Sequence, residues 1–214
     1  MDIRNKLYKN QGIHVIANIF TVEKGMTKVL LIKRKNEPYK DMWALVGGAL
    51  YNNEDIEDGM NREIEEKTGI KDIELYFNNI FGNVNRSPIM RMVAASYIGV
   101  IPSNEIDNFK DNFKSSDCEW FPINNIPKLA YDHNDILLDA LNKLKELVLN
   151  TDILKSLFPN DFTLPELQKT YEIILNEKLD RRNFRRKLLN MVEDTNKEII
   201  FEGTKPAKLY RYKK

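Results

Sequence analysis

The segment spanning residues 48–70 constrains the fold of this chain more than any other part of the sequence. Apolar residues recur at every fourth position from Asn53 to Thr68, which predicts an amphipathic helix. Gly69 stands where the end of a helix needs a residue with positive φ. Apolar runs of strand character surround this helix, at 13–20, 28–34, 43–46, 74–81 and 92–100. A helix among such strands predicts a mixed α/β (α+β) fold in which helices cover a sheet.

Two carboxylates on the predicted helix favour a ligand site. Glu63 and Glu66 are three residues apart and therefore share a helical face, on which Lys67 also lies. A carboxylate pair can hold Mg²⁺, and Gly47 and Gly48 would let a ligand approach the backbone just before the helix. The same charges also fit a solvated helix with Glu–Lys pairs. The spacing of the whole segment favours the ligand site.

Other candidates for this site lie outside the helix. Arg86 and Arg91 flank a polar turn, where two planar guanidinium groups could clamp a diphosphate. A role as ordinary surface-loop residues fits both arginines equally well. His133 comes just before a further predicted helix at 135–149, a place where a lone histidine more often caps or packs than catalyses.

The charges of the chain are unevenly distributed. The whole chain has a net charge of +1. Residues 151–214 hold 14 basic and 10 acidic residues, which leaves 19 basic and 22 acidic residues in 1–150. Residues 1–150 therefore have a net charge of −3, and residues 151–214 have a net charge of +4. This asymmetry predicts two domains, 1–150 and 151–214, of which the second is a basic module.

The basic module has the pattern of a helix-turn-helix followed by a hairpin. Thr163 would cap a first helix, and Asp180 would cap a second helix that extends through Val192. The polar face of that second helix consists of Arg182, Asn183, Arg186, Lys187 and Asn190. Arginine can recognise guanine and asparagine can recognise adenine in the major groove, so this face favours DNA over the alternative of a partner protein. Two short strands follow around a turn near Lys205 and Lys208, as in a DNA-contacting wing.

Composition excludes several other classes of protein. Cys118 is the only cysteine, which excludes an intrachain disulfide framework and a cysteine-rich zinc site. No apolar run approaches the roughly 20 residues that span a bilayer, and the first residues lack an apolar signal core. We therefore expect a cytoplasmic protein that does not associate with membranes.

The spacing that begins at Gly48 resembles the Nudix box, Gly-x5-Glu-x7-Arg-Glu-U-x-Glu-Glu-x-Gly-U, where U is bulky and aliphatic. The matching residues are Gly48, Glu54, Arg62, Glu63, Ile64, Glu66, Gly69 and Ile70. In Nudix hydrolases the glutamates of this box hold the metal ions that activate water against a pyrophosphate. Lys67 departs from the pattern, because it stands where the box has its last glutamate. The resemblance therefore implies the Nudix fold, while the charge of Lys67 opposes metal binding.

The two halves together resemble the Nudix-related transcriptional regulators, the NrtR family. In the basic module the similar segments are 162–168, 180–187 and 203–210. The resemblance implies an N-terminal Nudix α/β/α sandwich and a C-terminal winged helix-turn-helix domain. It also implies a homodimeric bacterial repressor that binds an inverted-repeat operator, senses ADP-ribose or a related nucleotide, and controls genes of NAD metabolism or sugar utilisation.

The resemblance and the motifs together give a set of site residues. The predicted effector-binding residues are Arg34, Gly47, Gly48, Glu63, Lys67, Arg86, Arg91 and His133. The predicted DNA-binding residues are Thr163, Arg181, Arg182, Asn183, Arg185, Arg186, Lys187, Lys205 and Lys208. A regulator of this kind requires no cofactor. The alternative is an active Nudix pyrophosphatase with a basic accessory domain, in which Glu63 and Glu66 would be catalytic and would hold Mg²⁺.

Overall fold

The first part of the chain folds into one mixed sheet with helices on its two faces. The computed structural model describes residues 11–102, 118–200, 203 and 205–213. The strands of this sheet are β1 (Gln11–Glu23), β2 (Met26–Lys33), β3 (Trp43–Ala49), β4 (Leu75–Phe81), β5 (Arg91–Val100) and β6 (Cys118–Pro122), and the helices that pack on it are α1 (Ile56–Thr68) and α2 (His133–Asn150). The strand order is β4-β5-β1-β3-β2-β6, in which β1 and β5 are parallel and the other pairs are antiparallel.

The two helices cover opposite faces of the sheet. Successive side chains of a strand point to opposite faces, so β1 contributes to two separate cores. Ile16 and Phe20 pack in the core that includes α2, whereas Val15 and Ile19 pack with Met60 of α1. The predicted α/β sandwich is therefore confirmed.

Helix α1 agrees with its prediction except at its start. It begins at Ile56, three residues after the predicted Asn53, because the Glu54 carboxylate accepts a hydrogen bond from the Tyr51 amide (2.7 Å) and holds the preceding residues in a turn. Gly69 ends the helix with φ 75°, in the left-handed conformation that the sequence predicted. Within the described part of the chain, no helix is long and apolar enough to cross a membrane.

The last part of the chain folds as a winged helix. Its elements are a 3-10 helix (Ile153–Leu157), β7 (Phe162–Thr163), α3 (Leu164–Leu175), α4 (Arg181–Leu188), β8 (Val192–Ile199) and β9 (Ala207–Tyr212). The three strands form a small antiparallel sheet in the order β7-β9-β8. The predicted helix-turn-helix with a following hairpin is confirmed.

Two boundaries in the winged helix differ from their predictions. Helix α4 ends at Leu188, although its apolar spacing predicted a helix through Val192. Val192 instead begins β8 and pairs with Tyr212 of β9, so sheet pairing ends the helix one turn early. The hairpin strand consequently starts five residues before the predicted position 197. Of the predicted strand 197–201, Phe201 lies outside the described residues.

A single apolar core continues from the sheet into the winged helix. Val148 near the end of α2 belongs to the same cluster of buried residues as Ile153 and Leu154 of the 3-10 helix. The cluster continues through Tyr171 of α3 to Phe184 of α4. Helix α2 therefore packs against the sheet at one end and leads into the DNA-binding elements at the other.

Candidate functional site

Glu63 is held against the sheet by the way in which α1 packs. Met60 and Ile64 are buried in the core on that face of the sheet, which turns the intervening Glu63 inward until it is 7% exposed. Its carboxylate lies directly over Gly48 of β3, where an added Cβ would approach the carboxylate oxygens to 2.3 Å. Glycine at position 48 is therefore required for the observed position of Glu63, which explains the first residue of the motif.

Basic side chains already neutralise the Glu63 carboxylate. Lys67 Nζ lies 2.7 Å from one of its oxygens, and Arg62 Nη1 lies 2.7 Å from the other. Lys67 also donates a hydrogen bond to the carbonyl of Gly47. Arg62 also forms a hydrogen-bonded ion pair with Glu54. The hydrogen bond from Arg62 lowers the pKa of the Glu54 carboxyl to about 2. The charged residues of the motif thus form a chain of ion pairs from Lys67 through Glu63 and Arg62 to Glu54.

This arrangement does not fit a divalent cation. A metal ion at Glu63 would have to displace the ammonium of Lys67, which lies where a further carboxylate would be needed. Glu66 is 55% exposed at its side chain and faces Arg62 at 3.5 Å. Among the described residues, no group of three or more histidine, cysteine, aspartate or glutamate side chains could hold a metal ion. The residues around Glu63 therefore do not form a divalent-cation site.

A second ion pair, between Arg86 and Asp132, also belongs to the site. The guanidinium of Arg86 donates two hydrogen bonds of 2.9 Å to the carboxylate of Asp132, and its side chain is 2% exposed. Arg86 is therefore not an exposed surface-loop residue, and a diphosphate would have to compete with Asp132 for its Nε and Nη2 donors. Arg91 lies at the start of β5 and donates to the backbone carbonyls of Asn83 and Met92.

His14 of β1 also belongs to the site, although its only signal in the sequence is a polar residue in an apolar strand. Burial, followed by the positive charges of Arg86, Lys67 and Arg34, lowers the pKa of His14 to about 4. We call these three basic residues the cation cluster. His133 is also buried and accepts a hydrogen bond from the Leu45 amide (3.0 Å) through Nδ1. Burial and the charge of Arg86 lower the pKa of His133 to about 3, so both imidazoles are neutral at pH 7.

Aromatic rings border the cation cluster. The guanidinium of Arg34 lies 4.8 Å from the centre of the Tyr131 ring, in cation–π geometry. The Tyr39 and Tyr131 rings meet edge to face, with their centres 4.7 Å apart. Cations beside aromatic faces are suited to a ligand that carries both phosphate groups and a planar base.

The structure brings most of the predicted effector residues together. They are Arg34, Gly47, Gly48, Glu63, Lys67, Arg86 and His133, which surround His14 or contact one another. Sequence reasoning did not select His14, Tyr39 or Asp132 for this site. Their position depends on which strands and loops are neighbours in the sheet, and spacing along the chain does not encode that.

Helix α4 presents a basic face to solvent. Its exposed residues are Arg181, Arg182, Asn183, Arg185, Arg186 and Lys187. Phe184 and Leu188 face the core, where the Phe184 ring packs 5.1 Å from that of Tyr171. Asp180 caps the helix by accepting a hydrogen bond from the amide of Asn183 (2.9 Å). The predicted division of this helix into an apolar and a polar face is confirmed.

Several of the predicted DNA-binding residues have partners within the protein. Thr163 is a buried capping residue whose hydroxyl accepts from the Glu166 amide, and its role as a DNA contact stays a prediction. Lys208 pairs with Asp194 at 2.8 Å on the surface of the hairpin. Lys187 donates to a carbonyl at the end of α2. Lys205 is exposed near the turn of the hairpin.

Comparison with known proteins assigns both parts of the chain. Residues 12–141 match the NUDIX domain, and residues 154–212 match the NrtR DNA-binding winged helix domain. The chain is 37% identical over 219 residues to the ADPR responsive transcriptional repressor NtrR of Acinetobacter baylyi, an alignment that covers 96% of this chain and 83% of the relative. The chain belongs to the NrtR family. The boundary near residue 150 stays a prediction.

Solved structures of this family have the same architecture. Shewanella oneidensis NrtR complexed with a 27mer DNA superposes with a TM-score of 0.83 at 28% identity, covering 94% of this chain and 93% of that one. The NUDIX domain of the same protein, complexed with ADP ribose, superposes with a TM-score of 0.56 at 25% identity over 67% of this chain and 94% of that one. The Nudix part is also 35% identical over 114 residues to the ADP-ribose pyrophosphatase of Methanocaldococcus jannaschii, covering 53% of this chain and 66% of that enzyme.

Proposed function

We propose that this NrtR-family protein is an ADP-ribose-responsive transcriptional repressor. One observation carries the proposal: a helix with an exposed basic face and a site with a cation cluster occur in one chain, within the two domains that NrtR proteins combine. Shewanella NrtR, which shares this architecture, has been solved with DNA, and its NUDIX domain with ADP ribose.

The cation cluster supplies the chemistry for binding a nucleoside diphosphate. Arg34 and Lys67 offer cationic donors for the phosphates, and the Tyr39 and Tyr131 rings offer faces for a planar base. Because the Lys67 ammonium is paired with the Glu63 carboxylate on α1, the site would hold the diphosphate without a metal-activated water to cleave it. Binding without turnover is the property that an effector site needs.

The effector would act through linkage between two sites. We propose that the protein is a homodimer that binds an inverted-repeat operator in the bacterial cytoplasm, with its two α4 helices in half-sites about 34 Å apart. ADP-ribose would favour a dimer geometry in which the α4 helices no longer match this spacing. The genes controlled would belong to NAD metabolism or sugar utilisation.

A mobility-shift titration tests this proposal. Genomic fragments that bind the protein are first enriched and sequenced to obtain an operator. The complex is then titrated with ADP-ribose, with AMP and ribose 5-phosphate as controls that each lack part of the ligand. We expect ADP-ribose to change operator affinity about 5- to 150-fold, the usual range of allosteric coupling. If neither ADP-ribose nor another nucleoside diphosphate compound changes it, the proposal is wrong.

An ADP-ribose pyrophosphatase is the second candidate function. The identity of 35% with the Methanocaldococcus enzyme favours it, as does the presence of Glu54, Glu63 and Glu66. Turnover of ADP-ribose with Mg²⁺ or Mn²⁺ decides between the candidates. Enzyme-like rates that are lost in Glu63→Gln would establish the hydrolase, whereas we expect none because of the ion pair between Lys67 and Glu63.

A further inference from the structure

Helix α2 touches the effector site at its first turn. Asp132, the residue that precedes the helix, accepts both hydrogen bonds of the buried Arg86 guanidinium. The next residue, His133, accepts a hydrogen bond from Leu45 of β3. A diphosphate that draws Arg86 away from Asp132 would therefore release one of the contacts that hold the beginning of α2.

The other end of α2 touches the DNA-binding helix. Lys187 of α4 donates a hydrogen bond of 3.1 Å from Nζ to the carbonyl of Leu149. The last carbonyls of a helix have no partner within the helix, and a cation there is favoured by the helix dipole. Thr151 satisfies the nearby carbonyl of Leu147 with its amide (2.8 Å) and its hydroxyl (2.7 Å), whereas Lys187 is the donor to the carbonyl of Leu149.

Helix α2 can carry a displacement between these two ends. It has 18 residues, which at about 1.5 Å per residue gives a length of roughly 27 Å. Its inner face is buried along the whole helix, from Ile136 near the beginning to Val148 near the end. Close packing resists gradual deformation, so a shift at the first turn is passed to the last turn.

We propose that Lys187 is a positioning residue that couples α4 to the effector site through α2. This inference rests on the proposed function and assigns Lys187 a role different from the other basic residues of its helix. Among the described residues, Arg182 and Arg186 make no hydrogen bond or ion pair to α2, and the guanidinium of Arg186 donates to Asn183 of its own helix. When Asp132 is held by Arg86, the Lys187 contact fixes the direction of α4, and release of α2 changes that direction.

Two substitutions at Lys187 separate positioning from DNA contact. Lys187→Met keeps the aliphatic stem and removes the donor, whereas Lys187→Arg keeps a cationic donor for Leu149. For each variant we would measure the operator Kd with and without ADP-ribose and the dependence of Kd on salt. We expect the ADP-ribose effect on Kd to fall roughly fivefold in Lys187→Met, the factor that corresponds to one hydrogen bond, and to persist in Lys187→Arg. We expect the salt dependence to stay at its wild-type value in both.

Arg182→Ala is the matched control on the same helix. It should reduce the salt slope by about one while keeping the full ADP-ribose effect, because it removes a cation from the basic face and leaves the contact to α2 intact. Deuterium exchange gives a readout without DNA: ADP-ribose should change amide protection in α4 of the wild type and change it less in Lys187→Met. Lys187→Gln serves in its place if the Met variant does not fold.

The outcomes distinguish the two proposals. If the wild type responds to ADP-ribose and Lys187→Met responds equally, or if Lys187→Met lowers the salt slope by about one, Lys187 is not a positioning residue and the repressor proposal stands. If the wild type shows no response to ADP-ribose, the repressor proposal fails and the coupling role fails with it.

Discussion

Replacing Lys67 by glutamate should turn the ion pair of α1 into a site that depends on a divalent cation. In the wild type the Lys67 ammonium lies 2.7 Å from the Glu63 carboxylate, whose side chain is 9% exposed. Lys67→Glu restores the residue type that the Nudix box has at this position. It also places a second carboxylate beside one that the packing of α1 prevents from moving into solvent.

The expected loss of stability in Lys67→Glu follows from the distance between the two charges and from their exposure. Two unit charges 2.7 Å apart interact by about 6 kcal/mol at an effective dielectric of ~20. Lys67 is 35% exposed, so solvent screens this interaction, and measured surface pairs contribute about 1 kcal/mol or less. Between these two limits, we expect Lys67→Glu to lower the free energy of unfolding by about 2–3 kcal/mol. In a protein of this size, 1 kcal/mol shifts the Tm by about 2–4 °C. The metal-free variant should therefore unfold about 5–10 °C below the wild type.

Added Mg²⁺ or Mn²⁺ should reverse this loss. A ligand at about 100 times its Kd stabilises the native state by about 2.7 kcal/mol, which is enough to restore the wild-type Tm. Lys143→Glu is the matched control, because it makes the same charge change in an exposed pair with Glu146 of α2. If Lys67→Glu is as stable as the wild type without metal, or if Mg²⁺ stabilises both variants equally, the assignment of Lys67 as the built-in cation of Glu63 is refuted.

Three further predictions concern other parts of the molecule. Arg182→Ala and Arg186→Ala should each weaken operator binding by about 1–3 kcal/mol in a mobility-shift assay, because both side chains lie on the exposed face of α4. Burial and a neighbouring guanidinium lower the pKa values of His14 and His133 to about 4 and 3, so the unfolded chain takes up protons at higher pH than the native state. Stability to urea should therefore be fully present above pH 6.5 and should decrease as the pH falls from about 6.5 to about 4, by about 3 kcal/mol for His14 alone. Thr163→Ala should lower the free energy of unfolding by about 1 kcal/mol, because it removes the capping box of α3.

Each of these predictions has an outcome that contradicts it. Operator affinity in Arg182→Ala should be compared with that of Lys178→Ala, an exposed lysine in the turn before α4 that pairs with Glu172. Equal effects of the two would mean that the face of α4 is not the DNA-binding surface. A urea stability that does not change between pH 6.5 and 4 would mean that His14 and His133 are not buried as neutral imidazoles. Thr163→Ser retains the hydroxyl, so it should unfold like the wild type.

The fold was largely predictable because its elements have strong local signals. The apolar period of α1, the left-handed Gly69 and the capping box at Thr163 all depend on residues within a few positions of one another. The predictions failed where tertiary pairing decided the outcome. The apolar spacing of α4 continues beyond Leu188, but Val192 pairs with β9, and the strand begins where the pattern predicted helix.

The candidate site was predictable only in part. The motif selected Glu63, Gly48 and Lys67, which lie on one helix and the strand before it. It gave no information on the partner of Arg86, because Asp132 is 46 residues away along the chain. A guanidinium predicted to clamp a diphosphate proved to be engaged by a carboxylate. His14 could not be found because its environment is created by residues from other elements.

The sequence by itself determined the domain types and the chemistry that each carries. A carboxylate-containing helix after two glycines and a second helix with an arginine-rich face are patterns in the chain, and local geometry is enough to interpret them. Only the tertiary structure decided what these charges do. It paired Lys67 with Glu63, surrounded His14 with cations, and placed α2 between Asp132 and Lys187. Charges act through distance and burial, and these quantities exist only after strands and helices from distant parts of the chain have packed together.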